Sequence, residues 1–164
     1  MENKITFSKK LLIIAVLILL SSYSYSQALP AGSSWSYLDD GSNQGVTWFS
    51  TGFDYSSWAT SNAELGYGDG DETTVVSYGP SSANKYPTTY FRTSFNATAA
   101  NVANTALVLN AVRDDGMVVY INGVQVWSNN MAVTFNYLSY ATATVGGAAE
   151  DAWISTSLAN ILVL

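Results

Sequence analysis

Cysteine and histidine are both absent from this sequence. Without cysteine there can be no disulfide staple and no lipid attachment through a cysteine. Without histidine the chain lacks the usual general base, the usual transition-metal ligand and every Ser-His or Cys-His arrangement. An enzyme built on it would have to work through carboxylates, tyrosine or lysine. Positive charge is scarce too, with six basic residues against twelve acidic ones. Long helical periodicity is missing, as are internal repeats and charge blocks.

The first twenty-six residues have the layout of a secretory signal peptide. Lys4, Lys9 and Lys10 make a basic start, and "LLIIAVLILL" (11–20) is an unbroken apolar run. Ser24 and Ser26 then stand at the −3 and −1 positions for cleavage before Gln27. A membrane span needs about twenty apolar residues, twice what this run offers. The expected product is secreted or surface-held and free of the membrane after cleavage.

Residues 27–164 would then form one domain, long enough to bury a core. Three of the six basic residues and one of the twelve acids leave with the signal, so the remainder carries a net charge of −8. Nucleic acid binding rests on neutralising phosphates, and Lys85, Arg92 and Arg113 are too few and too scattered for it. An anionic membrane surface would repel the chain for the same reason.

Short β-prone runs separated by turn clusters predict an all-β sandwich. The expected strands are 34–38, 46–50, 73–78, 88–95, 105–112, 117–121, 124–128 and 152–158. Asn122-Gly123 between alternating apolar runs predicts a type I′ hairpin turn. "RDDG" (113–116) predicts a second turn, with Asp114 and Asp115 able to bond the local backbone. In "TTYFRTSF" (88–95), Tyr90, Arg92 and Ser94 share one face while Phe91, Thr93 and Phe95 share the other. Phe91 and Phe95 are the expected core residues of that strand.

Three segments together resemble a known family. "FDYSSWAT" (53–60), "TTYFRTSF" (88–95) and "RDDGMVVYINGVQVW" (113–127) are similar to the galactose-binding-like jelly roll. The likeness is closest to the non-catalytic N-terminal domain of family 2 glycoside hydrolases and related modules of secreted bacterial proteins. Phe53, Asp54, Ser56, Ser57 and Trp58 match its first phrase, and Phe91, Arg92 and Phe95 fit the second loosely. Asp114, Asp115, Val119, Tyr120, Asn122, Gly123 and Val126 match the third. "WSYLDDGSNQGVTW" (35–48) and "LGYGDGDETTVVSYG" (65–79) look like an accessory variant found beside phosphoesterase, glycosidase, lamin-tail or sorting domains.

The resemblance implies a jelly-roll β-sandwich that is not itself an enzyme, binding glycan or positioning neighbouring domains of a larger exported protein. An alternative is the leading module of a secreted hydrolase whose catalytic domain lies elsewhere; another is a structural adhesion domain. Members of the family continue with a further turn and closing strand. The expectation is therefore that this sequence stops before its last strand.

Two acidic clusters are the candidate sites. Asp69, Asp71 and Glu72 offer hard oxygen ligands suited to a structural calcium ion, which such jelly rolls often carry. The spacing is not an EF-hand, since Thr74 stands at the sixth position and Pro80 at the twelfth. The same acids read equally as a solvated turn. Asp114 and Asp115 could contact a ligand at the sandwich rim or simply form the turn, with Arg113 available to pair with either. Aromatic faces stack on sugars, and Trp127 is the aromatic candidate for that role. Trp35 and Trp58 are expected in the core or covering it, while Trp48 and Trp153 could face either way.

Overall fold

A computed structural model describes residues 27–68, 70–97 and 106–159. The expected signal peptide and Asp69 lie outside the described residues. Within them the fold is all-β, with nine strands and a single 3-10 turn at Gly147–Ala149.

β1 (Ser34–Leu38) is the centre of a three-stranded antiparallel sheet, between β2 (Ala59–Asn62) and β5 (Tyr90–Arg92). Its register sets Ser36 opposite both Thr60 and Arg92, and Leu38 opposite Tyr90. Alternation then puts Leu38, Tyr90 and Arg92 on one face and Tyr37 and Phe91 on the other. Tyr90 is the residue of β5 that is buried, at 4% exposure, while Phe91 is half-buried. The alternation read from the sequence therefore holds, but the core face is the opposite one, and Phe95 too is only half-buried. The reason lies in what meets β5, an aromatic cluster built from distant loops.

That cluster is the main hydrophobic contact around this sheet. Trp48 meets Tyr90 and Tyr120 edge-on, with centroids 5.0 and 5.4 Å away. Phe49 stacks on Tyr120 at 4.3 Å with an interplanar angle of 4°. Trp58 touches Phe53, Tyr55 and Tyr90, and is 7% exposed. Ring pairs of this kind add about 0.5–1.5 kcal/mol each beyond the area they bury. Residues 46–50, expected as a strand, instead form turns, with Ser50 N–H donating to Thr47 O and Phe53 N–H to Ser50 O. The aromatic content that looks β-prone is used here to fill the core from a loop.

Arg92 ties that loop to the sheet. Its guanidinium donates to the carbonyls of Trp48 and Ser50, the latter at 3.0 Å. It also lies 4.7 Å from the Tyr55 ring centroid and 5.7 Å from that of Phe53.

β3 (Leu65–Gly66) and β4 (Thr74–Val75) form a short parallel pair. A parallel pairing requires the chain to travel back past its start, and the "YGDGDET" loop between the strands does this. Gly68 and Gly70 adopt φ of 123° and 83° there, conformations closed to most side chains. Strand 73–78 is thus shorter than expected, and β2 and β3 were not foreseen at all. β2 is "ATSN", and its small polar residues carry no apolar alternation; Thr74 Oγ1 donates to Asn62 O at 2.8 Å and holds it in place.

β6 (Ala106–Ala111) pairs with β9 (Ile154–Ala159), and β7 (Met117–Ile121) with β8 (Val124–Asn129), both antiparallel. The turn joining β7 to β8 has Asn122 at φ 51° and Gly123 at φ 86°, as a type I′ turn demands.

Candidate functional site

The two acid-bearing loops singled out in the sequence come together at one rim, and tyrosines bring them there. Tyr67 sits in the loop between β3 and β4, and Tyr78 follows β4. Their rings meet edge-on with centroids 5.4 Å apart. Tyr86 N–H donates to Tyr78 O at 2.8 Å, which returns the chain beside Tyr78 and sets Lys85 over the site. Lys85 Nζ lies 4.7 Å from the Tyr67 ring centroid, a cation–π arrangement. Tyr140 arrives from the far side of the sequence and donates its hydroxyl to Lys85 O at 3.3 Å.

Asp114 and Asp115 border the same tyrosines. Burial pushes the Tyr67 hydroxyl above its ordinary value, and the nearby charges of Asp114, then Asp115, push it further, with Tyr140 adding to them. Each of these makes a phenolate more costly, so Tyr67 remains a neutral hydroxyl, able to donate and accept.

The two aspartates have different tasks. Asp115 is half-buried and its Oδ1 accepts from Val145 N–H at 2.6 Å. Its carbonyl accepts from Asn130 Nδ2 at 3.1 Å. Asn130 also donates to Ala143 O at 2.5 Å and accepts from the Thr142 hydroxyl at 2.8 Å. This network fixes the "RDDG" turn against 141–145, and so places Tyr140 beside the turn. Asp114 is exposed. Arg113 directs its Nε to Asn129 Oδ1 at 2.7 Å, and its Nη1 is buried without a hydrogen-bond partner.

The rim therefore presents Tyr78, 41% exposed, and Tyr140, 65% exposed, around Tyr67, Lys85 and Asp114. Aromatic faces with amphiprotic hydroxyls, one carboxylate and one ammonium can hold a polyhydroxylated molecule through stacking and hydrogen bonds. Trp127 is half-buried within β8, in register with Val119 and two residues from Asn129, so it belongs to the hairpin ladder.

The GDGDE loop is arranged as a turn. Asp71 is exposed, and Glu72 folds back so that its Oε2 accepts from Gly70 N–H at 3.0 Å. Among the described residues no group of three acidic, histidine or cysteine side chains is drawn together. Asp71 and Glu72 by themselves do not compose a calcium cage.

Sequence reading identified Asp114 and Asp115 but not Tyr67, Tyr78, Lys85 or Tyr140. The available signal was their setting, since "GYG", "SYGP", "NKYP" and "LSYA" all put tyrosine among turn residues, where a ring meets solvent. Compared with family models, with curated proteins and with solved structures, the chain returned no match.

Proposed function

We propose that this chain is a secreted, non-catalytic module of the galactose-binding-like jelly-roll type that binds glycan at the tyrosine rim. The observation that carries this reading is the convergence of Tyr67, Tyr78, Tyr140, Lys85 and Asp114 from loops far apart in sequence. Exposed rings held by other loops, rather than packed into the core, are surface the fold could have covered with smaller polar residues. Tyr78 and Tyr140 would stack on sugar faces, and Asp114, Lys85 and the neutral Tyr67 hydroxyl would bond the sugar hydroxyls.

On this reading the module binds and does no chemistry. A carboxylate pair for glycosidic hydrolysis needs two acids facing across a substrate, one of them with a raised pKa. Asp115 instead spends an oxygen on the Val145 amide, and Asp114 is solvated. A role in larger exported proteins follows naturally, with the module bringing glycan and a neighbouring domain together.

The test is isothermal titration against a polysaccharide panel, with Tyr140→Ala and Asp114→Asn compared with the parent chain. Both positions are exposed, so the fold should survive. Each variant should bind about tenfold more weakly, the loss of one stacked face or one charge-assisted bond. Absence of binding across the panel, or unchanged affinity in both variants, sinks the reading.

A further inference from the structure

A separate cleft lies beside the β6–β9 ladder. Trp153 stands immediately before β9 and is 61% exposed. Asn110 on β6 is in register with Ser155, and its Oδ1 accepts the Ser155 hydroxyl at 2.6 Å. That bond commits the carbonyl end of the amide to the ladder and keeps its NH₂ as a donor. Gln27 and Ala31 approach from the start of the described chain. Together these four residues line an open cavity of about 330 Å³. Its size is at the lower end of small-ligand sites.

The lining has three kinds of surface and no charge. Trp153 supplies a broad apolar face, Ala31 a small apolar wall, and Gln27 and Asn110 supply amide donors and acceptors. In a chain of net charge −8 after loss of the first twenty-six residues, a cleft without an ionisable wall is a selective feature. An acidic sugar would meet repulsion with no cation to offset it, and a cationic one would find no carboxylate in the wall. We infer that this cleft takes a neutral saccharide ring, its C–H face on the Trp153 indole and its hydroxyls on Gln27 and Asn110. The site shares no residue with the tyrosine rim and stands independently of the function proposed there.

The experiment titrates the full chain with xylohexaose, cellohexaose and laminarihexaose, following heat and tryptophan fluorescence. Trp153→Ala, Trp153→Phe and Tyr140→Ala are run in parallel, and thermal melting verifies that each variant folds. At least one oligosaccharide should bind and perturb the fluorescence. Trp153→Ala should weaken that binding about tenfold, Trp153→Phe less, and Tyr140→Ala should leave the fluorescence response intact. If none of the three binds, or Trp153→Ala titrates like the parent, the cleft is not a saccharide site. Loss confined to Tyr140→Ala would overturn the cleft and retain the rim; loss confined to Trp153→Ala would do the reverse.

Discussion

The Arg92 guanidinium lies 4.7 Å from the centroid of the Tyr55 ring. It reaches that position while donating to two carbonyls of the neighbouring loop, those of Trp48 and Ser50. One planar group thus holds the "TWFS" turn, the "FDYSSW" turn and β5 in a single arrangement. Arginine does this because its five donors form a rigid fork and its face can stack on a ring at the same time.

Arg92→Lys should therefore be far from conservative. An ammonium can bond one carbonyl but cannot bridge two and stack as well. The expected loss is about 2 kcal/mol, the scale of charge-assisted hydrogen bonds left unmade in a partly buried site. Chemical denaturation of the two proteins measures it, and equal midpoints at equal slope would show that the fork is dispensable.

Asn130 should matter more than a loop asparagine usually does. Its φ of 56° is tolerated by Asn better than by most residues, and its amide joins Asp115, Thr142 and Ala143. Asn130→Ala should cost about 1–3 kcal/mol through unsatisfied carbonyls and backbone strain. It should also weaken glycan binding by releasing Tyr140 from the "RDDG" turn. A variant as stable as the parent, with rim binding intact, would show that the network only decorates the loop.

Three tyrosines should titrate late. Burial is the first cause of an upward shift at Tyr67, Tyr90 and Tyr120, and Asp114 and Asp115 add to it at Tyr67. A phenol raised in the folded state contributes stability that is fully present below its unfolded value, about 10. That stability is lost as pH rises through the folded value. Absorbance titration should show these three ionising after the other tyrosines, with melting temperature falling only on the alkaline side. All tyrosines ionising together in the folded protein would contradict the burial described.

Calcium should leave the melting temperature unchanged. Glu72 spends an oxygen on Gly70 N–H, and Asp71 is solvated, so the loop satisfies itself as a turn. Melting in EGTA and in millimolar calcium should give one midpoint. A rise with calcium would return the ion to Asp69, Asp71 and Glu72, because a ligand held only by the native state must stabilise it.

Local chemistry carried much of this protein in the sequence itself. The all-β class, β1, the β7–β8 hairpin and the Asn122-Gly123 turn follow from residues adjacent in the chain: β-branched alternation and tolerance of positive φ. The acids of "RDDG" were visible as a candidate site for the same reason, since turn chemistry is local. What tertiary structure decided was which face of each strand is inside. Tyr90 rather than Phe91 is buried because Trp48 and Trp58, more than thirty residues away, pack on its side of the sheet. The site followed the same rule. Tyr67, Lys85, Asp114 and Tyr140 become neighbours through contacts such as Tyr140 to Lys85 and Asn130 to Asp115. Periodicity can announce that a strand has two faces, but only the partner that arrives determines which one is buried.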